Sequence, residues 1–144
     1  MSNTLPPQNP IGAPAGGVPA LPDLPGFDTT AALKLLNNNQ KLYGNVLKRF
    51  LGQYEPLLAQ MTAQFTSLPG SPEELELLQR EAHTLKGLSG TIGHPAMHEA
   101  AVKYDAAAKV PDQHNQAEFK ELGQALADTL AQALNVLKAA FPPA

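Results

Sequence analysis

Residues 80–93 read Arg80-Glu81-Ala82-His83-Thr84-Leu85-Lys86-Gly87-Leu88-Ser89-Gly90-Thr91-Ile92-Gly93. On an α-helix, turning about 100° per residue, Leu78, Ala82, Leu85, Leu88, Ser89 and Ile92 gather on one broad side and form the expected core face. His83 points the other way. Lys86, Gly87 and Gly90 follow it by three, four and seven residues, so they share its side of the helix. Each mid-helix glycine costs about 1 kcal/mol relative to alanine, and here two fall on a face that packing does not demand. The physical gain is clearance for another protein to bring a bulky group, with its own backbone, against the imidazole. Lys86 adds a mobile positive charge one turn away, suited to a phosphoryl group as it arrives and leaves. These residue types at these spacings point to a histidine approached from outside.

The elements that hold this face in place are helical from Phe27 onward. Asp28 is an expected N-cap for a short helix carrying Ala31, Ala32, Leu35 and Leu36, with Asn37-Asn38-Asn39 as its stop. A long helix follows, in which Leu42, Tyr43, Val46, Leu47, Phe50, Leu51, Tyr54, Leu57, Leu58, Met61 and Phe65 recur at three- and four-residue steps. Pro56 within it removes a backbone hydrogen bond and is expected to kink or divide it. Leu68-Pro69-Gly70 reads as a turn, and Ser71 with Glu74 as a capping box, with Pro72 at the first helical position. The third helix, which carries His83, runs to Gly93. A fourth starts around Pro95 and reaches about Lys109, a loop spans 110–115, and a last helix bears Phe119, Leu122, Leu126, Leu130, Leu134, Leu137 and Phe141 before Pro142-Pro143. No strand-like alternation interrupts the pattern. The expected architecture is all-α: an antiparallel up-and-down four-helix bundle with an additional short N-terminal helix as a lid.

Composition narrows the function classes. Lys plus Arg number 10 against 13 for Asp plus Glu, a net charge of −3, which gives no footprint for nucleic acid or for a membrane surface. Cysteine is absent, so disulfides, thiol nucleophiles and Cys-based zinc sites are excluded, and a reducing compartment is favoured. No apolar run approaches the roughly 20 residues of a membrane span, and no signal-peptide pattern opens the chain. The expectation is a soluble cytoplasmic protein. Seven of the 14 prolines lie in residues 1–26, which read as a Pro/Gly-rich linker or tail, leaving 27–141 as the folded domain.

Other candidate motifs carry less. Gly87, Gly90 and Gly93 do not form a phosphate-cradling loop, because no strand precedes them and no Gly-Lys-Ser/Thr follows. His94 and His98 have the four-residue spacing of a helical metal pair. Pro95 pushes His94 out of helical geometry and no third ligand is evident, so they read as a surface pair at a helix start. His114 lies in a polar loop. The cluster of Glu73, Glu74 and Glu76 suits the positive end of a helix dipole, and Tyr43, Tyr54 and the phenylalanines follow the apolar stripes.

The segment Ala82-His83-Thr84-Leu85-Lys86-Gly87, with Gly90 and Gly93, resembles the signature of the histidine-containing phosphotransfer (HPt) domain family around its phosphorylated histidine. Leu24-Pro25-Gly26-Phe27-Asp28, Leu42-Tyr43 and the stretch from Leu47 to Phe50 are similar to the start of such domains at the C-terminal ends of hybrid sensor kinases. Pro56 falls where members often carry a proline. The resemblance covers roughly residues 24 to 140.

The resemblance implies a phosphocarrier in a multistep two-component phosphorelay, not a stand-alone catalyst. His83 would be the phosphoacceptor, Lys86 the cation near the phosphate, and Gly87 and Gly90 the clearance for a receiver domain. A polar residue on the following helix can orient the imidazole in the family, and here that position is Asp105, where Gln or Glu is more usual. The implied partners are response-regulator receiver domains, bound transiently by a monomer, with Mg²⁺ carried by the receiver and no cofactor on this chain. Two readings of other classes stay open: a non-catalytic helical interaction module, and a metal-binding bundle using His94 and His98. A free-standing protein and a tether to a sensor kinase are both compatible with the sequence.

Overall fold

A computed structural model describes residues 21–110, 112 and 115–142. Among the described residues six α-helices follow in order: α1 (Thr29–Leu35), α2 (Gln40–Tyr54), α3 (Leu58–Thr66), α4 (Pro72–Ile92), α5 (Pro95–Lys109) and α6 (Gln116–Ala140). No strand occurs among the described residues. A 3₁₀ turn, Glu55–Leu57, joins α2 to α3. Pro56 sits inside that turn, where its missing N–H and fixed φ tighten the backbone without ending the rod. Counting α2 and α3 as one kinked rod, the fold is the expected four-helix bundle with α1 added. Residues 1–20 of the expected 1–26 linker, His114 and Pro143 lie outside the described residues.

The helix ends follow the local chemistry of the sequence. The Asp28 carboxylate accepts from Ala31 N–H at 3.0 Å, and the Asn39 side chain accepts from Leu42 N–H at 2.9 Å. Between them Asn37 and Asn38 both take positive φ, 54° and 60°, a conformation asparagine tolerates better than most side chains. Ser71 caps α4 by accepting from Glu74 N–H at 3.1 Å. The reciprocal half of the box differs from expectation: Glu74 reaches one residue further, accepting from Gly70 N–H.

The core is one cluster filled chiefly by Tyr43, Leu47, Phe65, Leu78, Leu85, Ile92, Met97, Tyr104, Leu126, Leu130, Leu134 and Leu137. Helix α4 packs mainly on α5, and α6 packs on α3 and α5. Leu24 is also buried, so packing begins within the stretch that composition assigns to the linker. Burial of the Tyr43 phenol, with Asp28 nearby, pushes it up to about 12, so at neutral pH its O–H donates to the Ile92 carbonyl at 2.6 Å. That bond ties α2 to the end of α4. There Gly93 turns left-handed, φ 78°, and its C=O accepts from Asp28 N–H at 2.6 Å. A Cβ at Gly93 would stand 2.7 Å from the Asp28 carbonyl oxygen, so both the turn and the close approach require glycine.

His94 departs from the surface position expected of it: only 1% of the residue is exposed. The extended backbone that Pro95 imposes, φ −111° and ψ 91°, folds the ring back over the start of α5. Its Nδ1 accepts from Met97 N–H at 3.1 Å, its Nε2 meets Gln132 Oε1 at 2.6 Å, and Phe27 packs edge-on at 4.8 Å. An amide oxygen only accepts, so the proton sits on Nε2 and Nδ1 is the capping acceptor. Burial lowers the His94 pKa below its ordinary 6.5, against a smaller opposing effect of the Gln132 contact. The unfolded chain therefore binds a proton that the folded chain refuses, and stability falls as pH drops below about 6.5 toward the lower folded value. Thermal melts should show a lower Tm at pH 5.5 than at pH 7.5. In His94→Asn, which keeps a capping acceptor without the titration, that difference should shrink.

Candidate functional site

The site lies where α4 and α5 run side by side. His83 projects from the middle of α4 with 60% of its side chain exposed, because the apolar period commits Leu78, Ala82, Leu85, Ser89 and Ile92 to the interior and turns the 83 position outward. Leu88 is only partly buried, at the edge of the core face. Across from His83 stands Asp105 of α5, only 2% exposed. Its Oδ2 lies 3.5 Å from His83 Nδ1, 3.0 Å from Lys86 Nζ and 3.3 Å from Lys109 Nζ, and its Oδ1 accepts from Gln79 Nε2 at 2.5 Å.

The electrostatics of this carboxylate decide what the imidazole can do. Burial alone would raise the Asp105 pKa, but the donors from Gln79, Lys86, Lys109 and His83 outweigh it and hold the carboxyl well below the usual range. Asp105 is therefore ionised at neutral pH and can only accept. A distance of 3.5 Å is long for a hydrogen bond, yet a carboxylate beside Nδ1 favours the tautomer with the proton there. In the neutral ring the other nitrogen, Nε2, then keeps its lone pair. The site thus sets an exposed imidazole against a buried carboxylate and two ammonium groups.

A family model for the Hpt domain matches residues 45–140. The chain belongs to the Hpt domain family. Neither curated proteins nor solved structures gave a match. Membership implies histidine phosphotransfer within a phosphorelay, and Hpt domains as a class interact with response-regulator receiver domains. The matched segment begins within α2 and takes in the whole of α3 to α6, so all residues of the site fall inside it.

Within this Hpt domain the residues singled out by sequence are distributed unevenly. His83, Lys86 and Asp105 come together. Gly87 is exposed, and a Cβ built there would meet nothing within 4 Å, so its face is open. Gly90 is different: a Cβ there would lie 3.7 Å from His98 Nδ1 and 3.8 Å from its Cε1. Part of the space beside Gly90 is therefore lined by a histidine of α5. The spacing of His94 and His98 does not produce a metal pair, because both nitrogens of His94 are engaged inside the bundle. Among the described residues no group of three or more His, Cys, Asp or Glu is placed to hold a metal ion, and no helix is long and apolar enough to cross a membrane.

Two site residues were not anticipated. Lys109 shares the Asp105 oxygen with Lys86 and, with Gln79, Arg80 and Thr84, borders a shallow hollow beside His83. Its spacing of four residues from Asp105 on one helix was a usable signal. Gln79 precedes His83 by four residues, on the same side of α4, but its partner is visible only once α5 is in place.

Proposed function

We propose that this Hpt domain is a phosphocarrier of a multistep phosphorelay in which His83 Nε2 takes a phosphoryl group from the aspartyl phosphate of one receiver domain and delivers it to the aspartate of another. The observation that supports this most is the pairing of an exposed His83 with a buried, ionised Asp105 at its Nδ1. In the forward step the Nε2 lone pair forms the N–P bond while the acyl P–O bond breaks, and that electron pair leaves on the receiver's carboxylate. No proton has to move, since Nδ1 already carries one. The imidazolium that results faces Asp105. The reverse step returns the electron pair to Nε2 and gives back the neutral ring.

Lys86 is the cation that follows the phosphoryl charge, and at 30% exposure its ammonium can turn from Asp105 toward the phosphate. Gly87 is the part of α4 over which the receiver's backbone passes, with Gly90 beside it. Transfer through a loose transition state needs chiefly positioning and charge neutralisation. The receiver supplies the Mg²⁺, so the carrier needs no cofactor of its own and turns over nothing alone. With such partners the chain would work in the cytoplasm, docking transiently as a monomer. A purely docking module would not require an ionised carboxylate behind an exposed imidazole, and that distinguishes the two readings. To test the assignment, the chain is mixed with a labelled phosphoreceiver. Label should appear on the wild type and be absent from His83→Gln, whereas uptake by that variant contradicts the proposal.

A further inference from the structure

His98 on α5 has the same polarity as His83. It is exposed, and its Nδ1 lies 2.9 Å from the Lys86 carbonyl oxygen. A carbonyl only accepts, so His98 Nδ1 carries a proton in this contact, and in the neutral ring the free nitrogen, Nε2, holds a lone pair. The ring lies beside Gly90, seven residues beyond His83 and about 10 Å along the helix at 1.5 Å per residue. An interface at the boundary between transient and standard size, about 1,200 Å² in total, buries on the order of 600 Å² per partner, a patch roughly 14 Å in radius. A protein centred on His83 thus covers His98 as well.

A covered lone pair must be given a donor or it stays desolvated and unpaired. We propose that His98 is a specificity-determining docking residue, its Nε2 accepting a hydrogen bond from a donor on the receiver domain: a backbone N–H, a hydroxyl or a cationic side chain. A receiver that presents a carbonyl or carboxylate at this point meets a second acceptor and is disfavoured, which makes the position a filter among receivers. This inference rests on the phosphocarrier reading. His98 touches no reacting atom, so its effect is on the concentration of receiver needed rather than on the transfer step itself.

The test uses the full chain with a phosphorylated receiver and, separately, with phosphoramidate, a small phosphodonor that needs no docking surface. His98→Ala should raise the receiver concentration for half-maximal transfer by roughly 5- to 10-fold. The saturating rate and the labelling by phosphoramidate should stay as in the wild type. His98→Gln places an amide oxygen near the Nε2 position and should recover most of the loss. His98→Asn can keep the bond to the Lys86 carbonyl but offers nothing outward, and should not. Unchanged receiver dependence in His98→Ala overturns the proposal. So does rescue by Asn without rescue by Gln, which would make the ring only a tie between helices. Loss of phosphoramidate labelling in His98→Ala overturns it too, by showing a disturbed site. Failure of both donors to label His83 in the wild type defeats the phosphocarrier reading itself, whereas normal labelling with indifferent His98 variants defeats only this inference.

Discussion

Asp105→Ala is expected to slow phosphoryl transfer to His83 by roughly 10- to 100-fold while the bundle stays folded. The Asp105 carboxylate favours the proton on His83 Nδ1 and then faces the imidazolium that forms when Nε2 is phosphorylated. Hydrogen bonds to charged groups contribute about 1.5–3 kcal/mol, and each 1.36 kcal/mol in a barrier is about tenfold in rate. The fold tolerates the change because Lys86 and Lys109, with 30% and 55% of their side chains exposed, can turn to water, so no buried charge is left unpaired. Asp105→Asn, which keeps an acceptor oxygen without the charge, should fall between alanine and the wild type. Rapid-quench transfer from a phosphoreceiver, with a thermal melt of each variant, measures both halves. An unchanged rate in the alanine variant removes Asp105 from the mechanism.

Gly123→Ala should be among the most damaging single substitutions in the chain, with a loss of at least about 3 kcal/mol. Helices α3 and α6 meet so closely at this point that a Cβ on Gly123 would stand 1.8 Å from the Phe65 carbonyl oxygen and 3.4 Å from Tyr104 Cε2. The nearest obstacle is backbone, so no rotamer change relieves it and one helix must move. The effect reaches the site: Phe65 packs edge-on against Tyr104 at 5.0 Å, and Tyr104 precedes Asp105 on α5. Chemical denaturation should show the lower midpoint, and the variant's transfer rate should fall below the wild type even under conditions where it is folded. Full stability in Gly123→Ala contradicts the close packing of α3 on α6.

What the sequence made legible, and what it did not, follows from the range of the forces involved. The outward direction of His83, the caps at Asp28 and Ser71, and the stop at Gly93 are local, set by helical period and side-chain-to-backbone geometry, and the fold has each of them. Asp105 could be placed beside the imidazole only through likeness to the Hpt family, because nothing along the chain says which residue of α5 faces position 83. Gln79 and Lys109 were missed for the same reason. His94 was misjudged because an imidazole at a helix start reads as polar surface, whereas here it serves as the cap itself with Gln132 and Phe27 closing over it. Gly90 looked like bare clearance because His98 arrives from a different helix. Gly123 carried a signal that went unused: a glycine inside a 25-residue helix costs helix stability, and a close helix contact is a common reason for it.

The most direct measurement is the position of the phosphoryl group on the ring. The ¹⁵N-labelled chain, charged by a phosphorylated receiver, should show a single ³¹P–¹⁵N coupling at Nε2 of His83, with the other histidines unmodified. A phosphoryl group on Nδ1 of His83, on another residue, or absent altogether would contradict the account.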